Sequence, residues 1–409
     1  MSNQTLLMIA PYPPTPDTGA GIAIFGDLTE LKRRGVVVDL ICFRSHRPLE
    51  TLHELQQLCR QLILVEGPPA WSLKTPWLAL LKQPLVVVRH QSLPMRQAIA
   101  AQLESHPYDV VLVEFSFMFQ YLLQPNLIFT QDKQPLLVVD HLVVTPKVYQ
   151  YFHRVAPTPL AKLFRQYEIP RLKKYLQKVL LTADKHLFVG QEDLAYVQNQ
   201  FPGLPNEKLI YRPIGLLLER YPLADPTQVE PFTLGFFGAF DWAANVDAAH
   251  YFVREILPLI QVQMPQVKFV LAGRAGPASI RALADHPAIE FVGEVEDMFS
   301  LAQRVVVIVA PLRIGAGTRL KILEAMAWGK PIVATSIGVE GIEQVAGQDL
   351  LVADEPETFA RAVVNLLNDP LQQVRLAQAG RRRVELSYTA QHSVDRLQQA
   401  LQIPSPILP

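Results

Sequence analysis

Two cations follow a glycine-rich turn in the second half of the chain. Gly315 and Gly317 open the turn, and Thr318 is the expected N-cap of a helix that begins with Arg319 and also carries Lys321. Free N–H groups and the positive end of the helix dipole attract anions at such a position, and they disfavour cationic side chains. The placement of both cations therefore predicts an anionic ligand of the size of a diphosphate.

A carboxylate lies on the same predicted helix, which runs from Arg319 to about Trp328. At about 100° per residue, Lys321, Glu324 and Trp328 share one stripe. Glu324 is then free to accept hydrogen bonds from hydroxyl groups, such as those of a ribose. The alternative is a solvated Lys321–Glu324 pair, which would contribute only about 0.2–0.5 kcal/mol.

Two series of short apolar strands, alternating with helical patterns, must position these residues. The predicted strands are 6–11, 36–43, 62–65, 109–115, 135–140, 186–189 and 209–212 in the first series and 232–238, 267–273, 289–293, 305–311, 331–335 and 350–353 in the second. Apolar strands separated by helices indicate parallel sheets covered on both faces. The sequence therefore predicts an α/β fold with two Rossmann-like, doubly wound domains, joined by the proline-containing segment 215–231.

Ligands of such sheets bind beyond the carboxyl ends of the strands, and a glycine loop follows the first strand of each series. Gly19 and Gly21 precede a predicted helix, but the spacing continues to Gly26 and does not match a dinucleotide fingerprint. The alternative is a flexible loop before a helix. In the second series, Gly238 would let a backbone approach a ligand closely.

The residues after Gly238 have both structural and functional interpretations. Asn245 or Asp247 is the expected cap of the next helix, and Trp242 is either packing or a wall for a bound ring. Two further loops, 272–276 with Arg274 and 293–298 with Val295, also end strands and are candidates to face a ligand. Asp297 in the second of them is expected to cap a helix.

Composition excludes several classes of protein. The 409 residues have a formal net charge of zero, which argues against a general nucleic-acid surface. Only Cys42 and Cys59 are present, without metal-ligand spacing, and this fits a reducing compartment and predicts no metal site. The N-terminus does not read as a signal peptide, and no uncharged run approaches the roughly 20 residues of a membrane span. We expect a cytoplasmic protein, and a peripheral position at the inner face of the membrane is a further hypothesis.

The string APLRIGAGTRLKILEAMAWGKPIVATSIGVEGI resembles the C-terminal half of the large group 1 (family 4) retaining glycosyltransferases, which have the GT-B fold. The segments FFGAFDWAANVDAAHYFVREILPLI, GEVEDM and GQDLLVADEPETFARAVVNLLNDP are similar to the same family. The resemblance covers nearly the whole chain and is specific over 232–370, with bacterial sugar transferases of polysaccharide assembly the nearest kind. It implies two Rossmann-like domains facing across a cleft.

In such enzymes the first domain, here 1–218, holds the acceptor, and the second, here 219–385, holds the nucleotide-sugar. A C-terminal helix, 386–404, is expected to pack back on the first domain. The resemblance implies a UDP- or GDP-linked sugar as co-substrate, no separate cofactor or metal, and a glycan or lipid-linked acceptor. By position, it assigns the donor diphosphate to Gly315, Gly317, Thr318, Arg319 and Lys321.

The remaining roles are also carried over by position. Glu324 would bind the ribose, Arg274 and Val295 would lie on the side of the base, and Asp140 and His141 would lie near the transferred sugar as catalytic candidates. The alternative for the last two is a helix-capping aspartate and an incidental histidine.

The chain departs from the family pattern at two places. The family often has a Glu-x7-Glu pair, and its first carboxylate is replaced here by Ala316. An Arg and a Lys commonly follow the strand that ends at Gly238, whereas Ala239 and DWAAN stand here. Because a similar W-x-x-N variant occurs in part of the family, activity remains the expectation, with Arg319 and Lys321 neutralising the diphosphate. A sugar-nucleotide epimerase and a non-catalytic binding partner are the alternative functions.

A basic and aromatic stretch, 141–190, raises a separate hypothesis. It holds nine Lys or Arg residues against Glu168 and Asp184, with tyrosines and phenylalanines between them. Such a surface is suited to contact with an anionic membrane. The alternative is a solvated helical face.

Overall fold

The computed structural model describes residues 4–17, 19–44, 49–68, 83–124, 134–154, 156, 158–315, 318–343 and 347–401. The chain divides into two compact units. The first comprises Met1–Gly215 with Ala390–Pro409, and the second comprises Leu216–Thr389. All thirteen predicted strands are present, with ends that differ by no more than two residues from the predicted ones.

The first unit is built on a parallel sheet. Its strands in the described residues are β1 Thr5–Ala10, β2 Val37–Phe43, β3 Gln61–Val65, β4 Val110–Glu114, β5 Leu136–His141, β6 Lys185–Phe188 and β7 Leu209–Tyr211, in the order β3-β2-β1-β4-β5-β6-β7. Every pair is parallel, and the register places Glu114 beside Asp140. This order is that of a doubly wound sheet.

Helices accompany this sheet: α1 Gly19–Arg33, α2 Leu49–Leu58, α3 Leu85–Arg89, α4 Leu93–Ser105, α5 Thr145–Arg154, α6 Pro159–Thr182 and α7 Gln191–Gln200. A 3-10 helix, Ser116–Tyr121, follows β4. The long helix α6 begins with Thr158 as N-cap, which accepts a hydrogen bond from Ala161 N at 3.2 Å. A proline at one of its first two positions fixes the backbone where no intrahelical hydrogen bond is lost.

The second unit has the same architecture. Its described strands are β8 Thr233–Phe237, β9 Lys268–Ala272, β10 Ile289–Gly293, β11 Val307–Ala310, β12 Ile332–Ala334 and β13 Leu351–Val352, in the parallel order β10-β9-β8-β11-β12-β13. Its helices are α8 Ala243–Tyr251, α9 Leu257–Gln263, α10 Ala278–Arg281, α11 Met298–Arg304, α12 Leu320–Ala327, α13 Pro356–Asn368 and α14 Pro370–Ser387. The predicted fold class, two α/β units with parallel sheets, is confirmed.

The order of the second sheet decides where a ligand can bind. The chain runs outward from β8 to β9 and β10 and then returns to β11 on the other side of β8. At such a reversal, the loops after the two central strands diverge and leave a crevice. These loops carry Gly238 after β8 and Gly315 after β11.

The last described helix, α15 Ala390–Leu401, belongs to the first unit. Arg34, directly after α1, donates to Asp395 and to Gln398, both at 2.7 Å. Ser393 donates to Asp27 at 3.0 Å. In the part of the chain described above, no helix is long and apolar enough to cross a membrane.

Candidate functional site

The reversal of strand order in the second unit brings Gly238 and Lys321 together. Lys321 Nζ donates to Asn245 Oδ1 at 2.7 Å and lies 4.2 Å from the centre of the Phe236 ring. A Cβ atom on Gly238 would stand 2.9 Å from both Lys321 Nζ and Asn245 Nδ2. A side chain at 238 would displace Lys321 Nζ or the Asn245 amide, because both lie against the backbone of Gly238.

Asn245 has a different role from the predicted one. It lies inside α8, whose N-cap position is Trp242, so the expectation that Asn245 or Asp247 caps this helix is wrong. Its amide nitrogen donates to the carbonyl of Ala239 at 2.7 Å while its oxygen accepts from Lys321. The side chain therefore fixes the turn after β8 and the ammonium of Lys321 at once. Asp247 accepts from Arg313 at 2.7 and 3.1 Å.

The ionisation of Lys321 and Glu324 is shifted by their surroundings. Burial, together with the positive charge of Arg319, lowers the pKa of Lys321 to about 7. Burial also raises the pKa of Glu324 to about 7, against the effect of Tyr221, whose hydroxyl donates to Glu324 Oε1 at 3.3 Å. An anion beside Lys321 would favour its charged form.

Arg319 is held by the loops around it. Only 9% of the residue is exposed; Nε donates to the carbonyl of Ile337 at 3.2 Å, and Nη2 lies 3.4 Å from Glu340 Oε2. A Cβ on Gly315, which has φ of 151°, would stand 2.4 Å from Nη2. The guanidinium is thus packed on the glycine turn, with its charge partly compensated by Glu340.

The start of α12 differs from the prediction. The helix begins at Leu320, and Arg319 takes the N-cap position without a side-chain capping bond. Thr318 is therefore not the cap; its hydroxyl donates to the carbonyl of Gly341 at 3.4 Å. Gly317, predicted to contact a diphosphate, and Ala316 lie outside the described residues.

Backbone hydrogen bonds join the loops on the predicted side of the base. Gly238 N donates to Ala272 O at 3.0 Å, and Gly273 N donates to Gly293 O at 2.7 Å. Gly273 has φ of 152°, and a Cβ there would stand 1.8 Å from the carbonyl oxygen of Gly238. These contacts require glycine at 273 and hold the loops after β8, β9 and β10 in fixed positions.

The side chains of these loops are in part as expected. Arg274 is exposed and lies 3.1 Å from Asp241, and Val295 is half-buried between β10 and α11. Asp297 caps α11 and accepts from Phe299 N at 2.9 Å, which confirms the predicted cap. Trp242 is 41% exposed at the start of α8.

In the first unit, Asp140 lies in a buried charge cluster. It is ion-paired with Arg212, which also donates to Asp27 at 2.6 Å and to Ser393 at 2.7 Å. Burial raises the pKa of Asp140 to about 6, against the opposing charge of Arg212. The neighbouring Glu114 is fully buried, and neither of its carboxylate oxygens has a hydrogen-bond partner among the residues that the structure describes.

His141 is equally inaccessible. Its Nε2 lies 3.2 Å from Nδ1 of His186, and its ring stacks on Phe188 with centres 4.7 Å apart. Burial lowers the pKa of His141 well below the ordinary value. Because neither Asp140 nor His141 has exposed surface, this geometry argues against the predicted contact of either residue with a sugar. Asp140 does not cap a helix either, since it lies within β5.

The first glycine loop is also arranged differently from the prediction. Gly19 and Gly21 lie in the first turn of α1, and Gly19 has φ of 37°, which favours glycine.

Over the described ranges, no group of three His, Cys, Asp or Glu side chains is arranged to hold a metal ion.

Three contacts of the site in the second unit were not predicted from the sequence: Asn245 as the acceptor for Lys321, Glu340 beside Arg319, and Tyr221 beside Glu324. Glu340 lies in the string that resembles the glycosyltransferases, but its spacing gives no sign of the pair. The W-x-x-N pattern was the only signal that pointed to Asn245.

Solved structures share this fold. Sucrose-phosphate synthase of Thermosynechococcus elongatus matches with a TM-score of 0.71 at 17% identity, over 98% of each chain. HepE of Anabaena, crystallised in complex with UDP and glucose, matches with a TM-score of 0.66 at 12% identity, over 97% of this chain and 99% of that one.

Among curated proteins, a Klebsiella pneumoniae protein named "Uncharacterized 44.6 kDa protein in cps region" is 24% identical over 271 residues. The match covers 63% of this chain and 65% of that protein, slightly less than two thirds of its length.

The two parallel-sheet units and their structural matches define the class of protein: it has the GT-B fold of glycosyltransferases. Residues 231–369 match the family model for group 1 glycosyl transferases. The match lies within the second unit, and it confirms that this part of the chain resembles the group 1 glycosyl transferases.

Proposed function

We propose that the protein transfers a sugar from a nucleoside diphosphate sugar to a glycan or lipid-linked acceptor. The observation that carries this proposal is the placement of Lys321 at the reversal of strand order, against Gly238 and Asn245. A UDP-linked donor is favoured over a GDP-linked one, because HepE, which has the same fold, was crystallised with UDP.

The proposed reaction needs stabilisation of the negative charge that develops on the leaving diphosphate. The bond between the anomeric carbon and the diphosphate oxygen breaks, and the diphosphate leaves with the electron pair. The oxygen of an acceptor hydroxyl forms the new glycosidic bond to the anomeric carbon, and its proton passes to an oxygen of the leaving diphosphate. Lys321 and Arg319 would stabilise the negative charge that develops on the leaving group, while Thr318 and Gly315 would shape the loop around it. We further propose retention of the anomeric configuration and no metal requirement, as the family resemblance implies.

The roles of the remaining site residues are proposals as well. Glu324, with Tyr221 as its hydrogen-bond partner, would accept from the ribose hydroxyls. The loops that carry Arg274 and Val295 would face the base, since they are joined by backbone hydrogen bonds to the loop of Gly238.

A panel of nucleoside diphosphate sugars tests the proposed function. We expect calorimetric binding of UDP and of at least one UDP-sugar, with slow hydrolysis of that sugar and faster turnover when acceptor extract is added. Absence of binding by UDP, GDP and their sugars would refute the proposal. Binding without turnover under all conditions would instead favour the non-catalytic binding partner. A product that is an epimer of the donor would favour the epimerase.

We propose, in addition, a peripheral contact with an anionic membrane, which would place the protein at the inner face of that membrane. The exposed side chains Leu160, Leu163 and Tyr167 support it; they are 76%, 63% and 51% exposed and follow one another by three and four residues on α6. The basic surface is smaller than the sequence indicated. Lys147 is buried and pairs with Asp193 at 2.7 Å.

Vesicle flotation tests this contact. We expect the protein to float with vesicles that contain an anionic lipid, and expect Leu160→Gln/Leu163→Gln to reduce the bound fraction several-fold. A control pair of equally apolar, exposed residues elsewhere, Leu371→Gln/Val374→Gln on α14, should leave binding unchanged. Equal flotation of all three proteins would exclude this surface as the contact.

A further inference from the structure

The first unit contains an open cavity of about 210 Å³ that the proposed donor site does not use. Three cations of α6, Arg171, Lys174 and Lys178, line it together with Tyr175 of the same helix. Amide side chains outside α6, among them Gln83 and Gln124, also line it. Among the described residues that line the cavity, none is acidic. Its walls are therefore positively charged or neutral.

The cations lie on one face of the helix. Arg171, Lys174 and Lys178 are separated by three and four residues, which places them in one stripe. Lys174 and Lys178 are four residues apart, an arrangement in which like charges repel. An anion between them would remove this repulsion.

The charge in the cavity is only partly compensated. Arg171 Nη1 lies 2.6 Å from Glu168 Oε1, and the other oxygen of this buried carboxylate accepts from Leu85 N at 2.7 Å. In the described part of the chain, neither Lys174 nor Lys178 takes part in an ion pair. Two ammonium groups thus remain available to a ligand.

The wall formed by Tyr175 is anchored in the core. Its ring packs against the main apolar cluster of the unit, and its hydroxyl donates to the carbonyl of Ser116 at 3.0 Å. Ser116 follows the end of β4, so the cavity lies beside the carboxyl end of a central strand. Parallel sheets bind their ligands at this edge.

We propose that this cavity binds a phosphate ester. Two uncompensated ammonium groups and a guanidinium suit a phosphate group, which accepts several charge-assisted hydrogen bonds. The phosphate is carried either by a lipid headgroup or by a soluble ester. The lipid is favoured by the continuation of the stripe, because Leu160, Leu163 and Tyr167 precede Arg171 on the same face of α6 at the same spacing.

Titration with sn-glycerol 1-phosphate, and with glycerol as the uncharged probe, tests the proposal. All variants carry Lys321→Ala, so that an anion bound in the second unit does not contribute. We expect the phosphate ester to bind and glycerol not to bind, and expect Lys174→Gln/Lys178→Gln to weaken the former about tenfold or more. Lys162→Gln/Lys173→Gln removes the same charge from the same helix and should change the affinity by less than about twofold.

Vesicles distinguish the two sources. Binding to vesicles that contain phosphatidylglycerol is compared with binding to vesicles of phosphatidylcholine alone. If Lys174→Gln/Lys178→Gln weakens binding to the phosphatidylglycerol vesicles and Lys162→Gln/Lys173→Gln does not, the phosphate is that of a lipid. Selective loss for glycerol phosphate alone indicates a soluble ester. The proposal would be overturned if the two double variants bound glycerol phosphate with equal affinity, whether unchanged or equally weakened. In that case the net charge of the helix, and not the cavity, would decide the affinity. Circular dichroism checks that the variants fold. The single variant Lys178→Gln should lose affinity in the same direction, but by less than the double variant.

Discussion

Lys321 and Asn245 are 76 residues apart in sequence, and the ammonium of one donates to the amide oxygen of the other at 2.7 Å. Lys321 belongs to α12, after β11, and Asn245 to α8, after β8. They meet because β8 and β11 are neighbours at the reversal of strand order. The pair positions one positive charge where the family resemblance expects a diphosphate.

Replacing Lys321 with alanine should weaken binding of a UDP-sugar by about 1.5–3 kcal/mol, because a charge-assisted contact to the diphosphate is lost. Isothermal titration calorimetry measures the change. Lys268→Ala, which removes the same charge from the amino end of β9, is the matched control and should bind as the wild type does. Unchanged affinity in Lys321→Ala would contradict the assigned role.

Replacing Asn245 with alanine removes both the acceptor for Lys321 and the donor to Ala239. We expect donor binding to weaken by about 1–2 kcal/mol, since the ammonium loses its fixed position and the turn after β8 is loosened. Asn365→Ala, at an exposed position of α13, is the control. If both variants bind the donor equally well, Asn245 does not position Lys321.

Donor binding should depend on pH near neutrality. Burial lowers the pKa of Lys321 to about 7 in the free protein, and a bound diphosphate raises it because the anion favours the charged form. The complex then holds more protons than the free protein, so affinity falls as pH rises above about 7, by up to about tenfold per pH unit, until the pKa of the complex is passed.

Calorimetry with UDP-glucose between about pH 6 and pH 9 measures this dependence, because the diphosphate diester of that ligand does not titrate in the range. Lys321→Met should flatten the curve. Burial also raises the pKa of Glu324 to about 7, so this carboxyl group titrates in the same range. The variant Glu324→Gln shows how much of the pH dependence of donor binding comes from Glu324. An affinity that is constant or rises with pH in Glu324→Gln would rule out a protonated Lys321 as the binding form.

Glu114→Gln should stabilise the first unit at pH values above the ordinary pKa of a glutamate. Burial raises the pKa of Glu114 well above its usual value, and the charge of the nearby Asp140 raises it further. The native state therefore binds this proton more tightly than the unfolded chain, so stability is lost as pH rises from the unfolded pKa of about 4.5 through the native one.

Because glutamine carries no charge, we expect a gain of about 1–3 kcal/mol in the free energy of urea unfolding at pH 8 and little change at pH 4. Glu104→Gln, at an exposed position of α4, is the control. A loss of stability at pH 8 would show that the ionised carboxylate is needed by Arg212.

The sequence by itself determined the strands, the parallel α/β architecture of both units and the helix that carries Lys321 and Glu324. These features follow from the local alternation of apolar runs and helical patterns, in which each signal lies within a few residues of the element that it specifies. The cap of α11 by Asp297 is a local feature of the same kind.

Only the tertiary structure decided which side chains meet. Asp140, Arg212, Asp27 and Ser393 are far apart in sequence, and their buried cluster makes the predicted catalytic candidate Asp140 an interior residue. The second candidate, His141, is buried against His186 and Phe188. The start of α12 at Leu320 was likewise not set by local preference, since Thr318 bonds to Gly341 in a distant loop. Strand order fixes such contacts, and it depends on the packing of the whole unit rather than on any one segment.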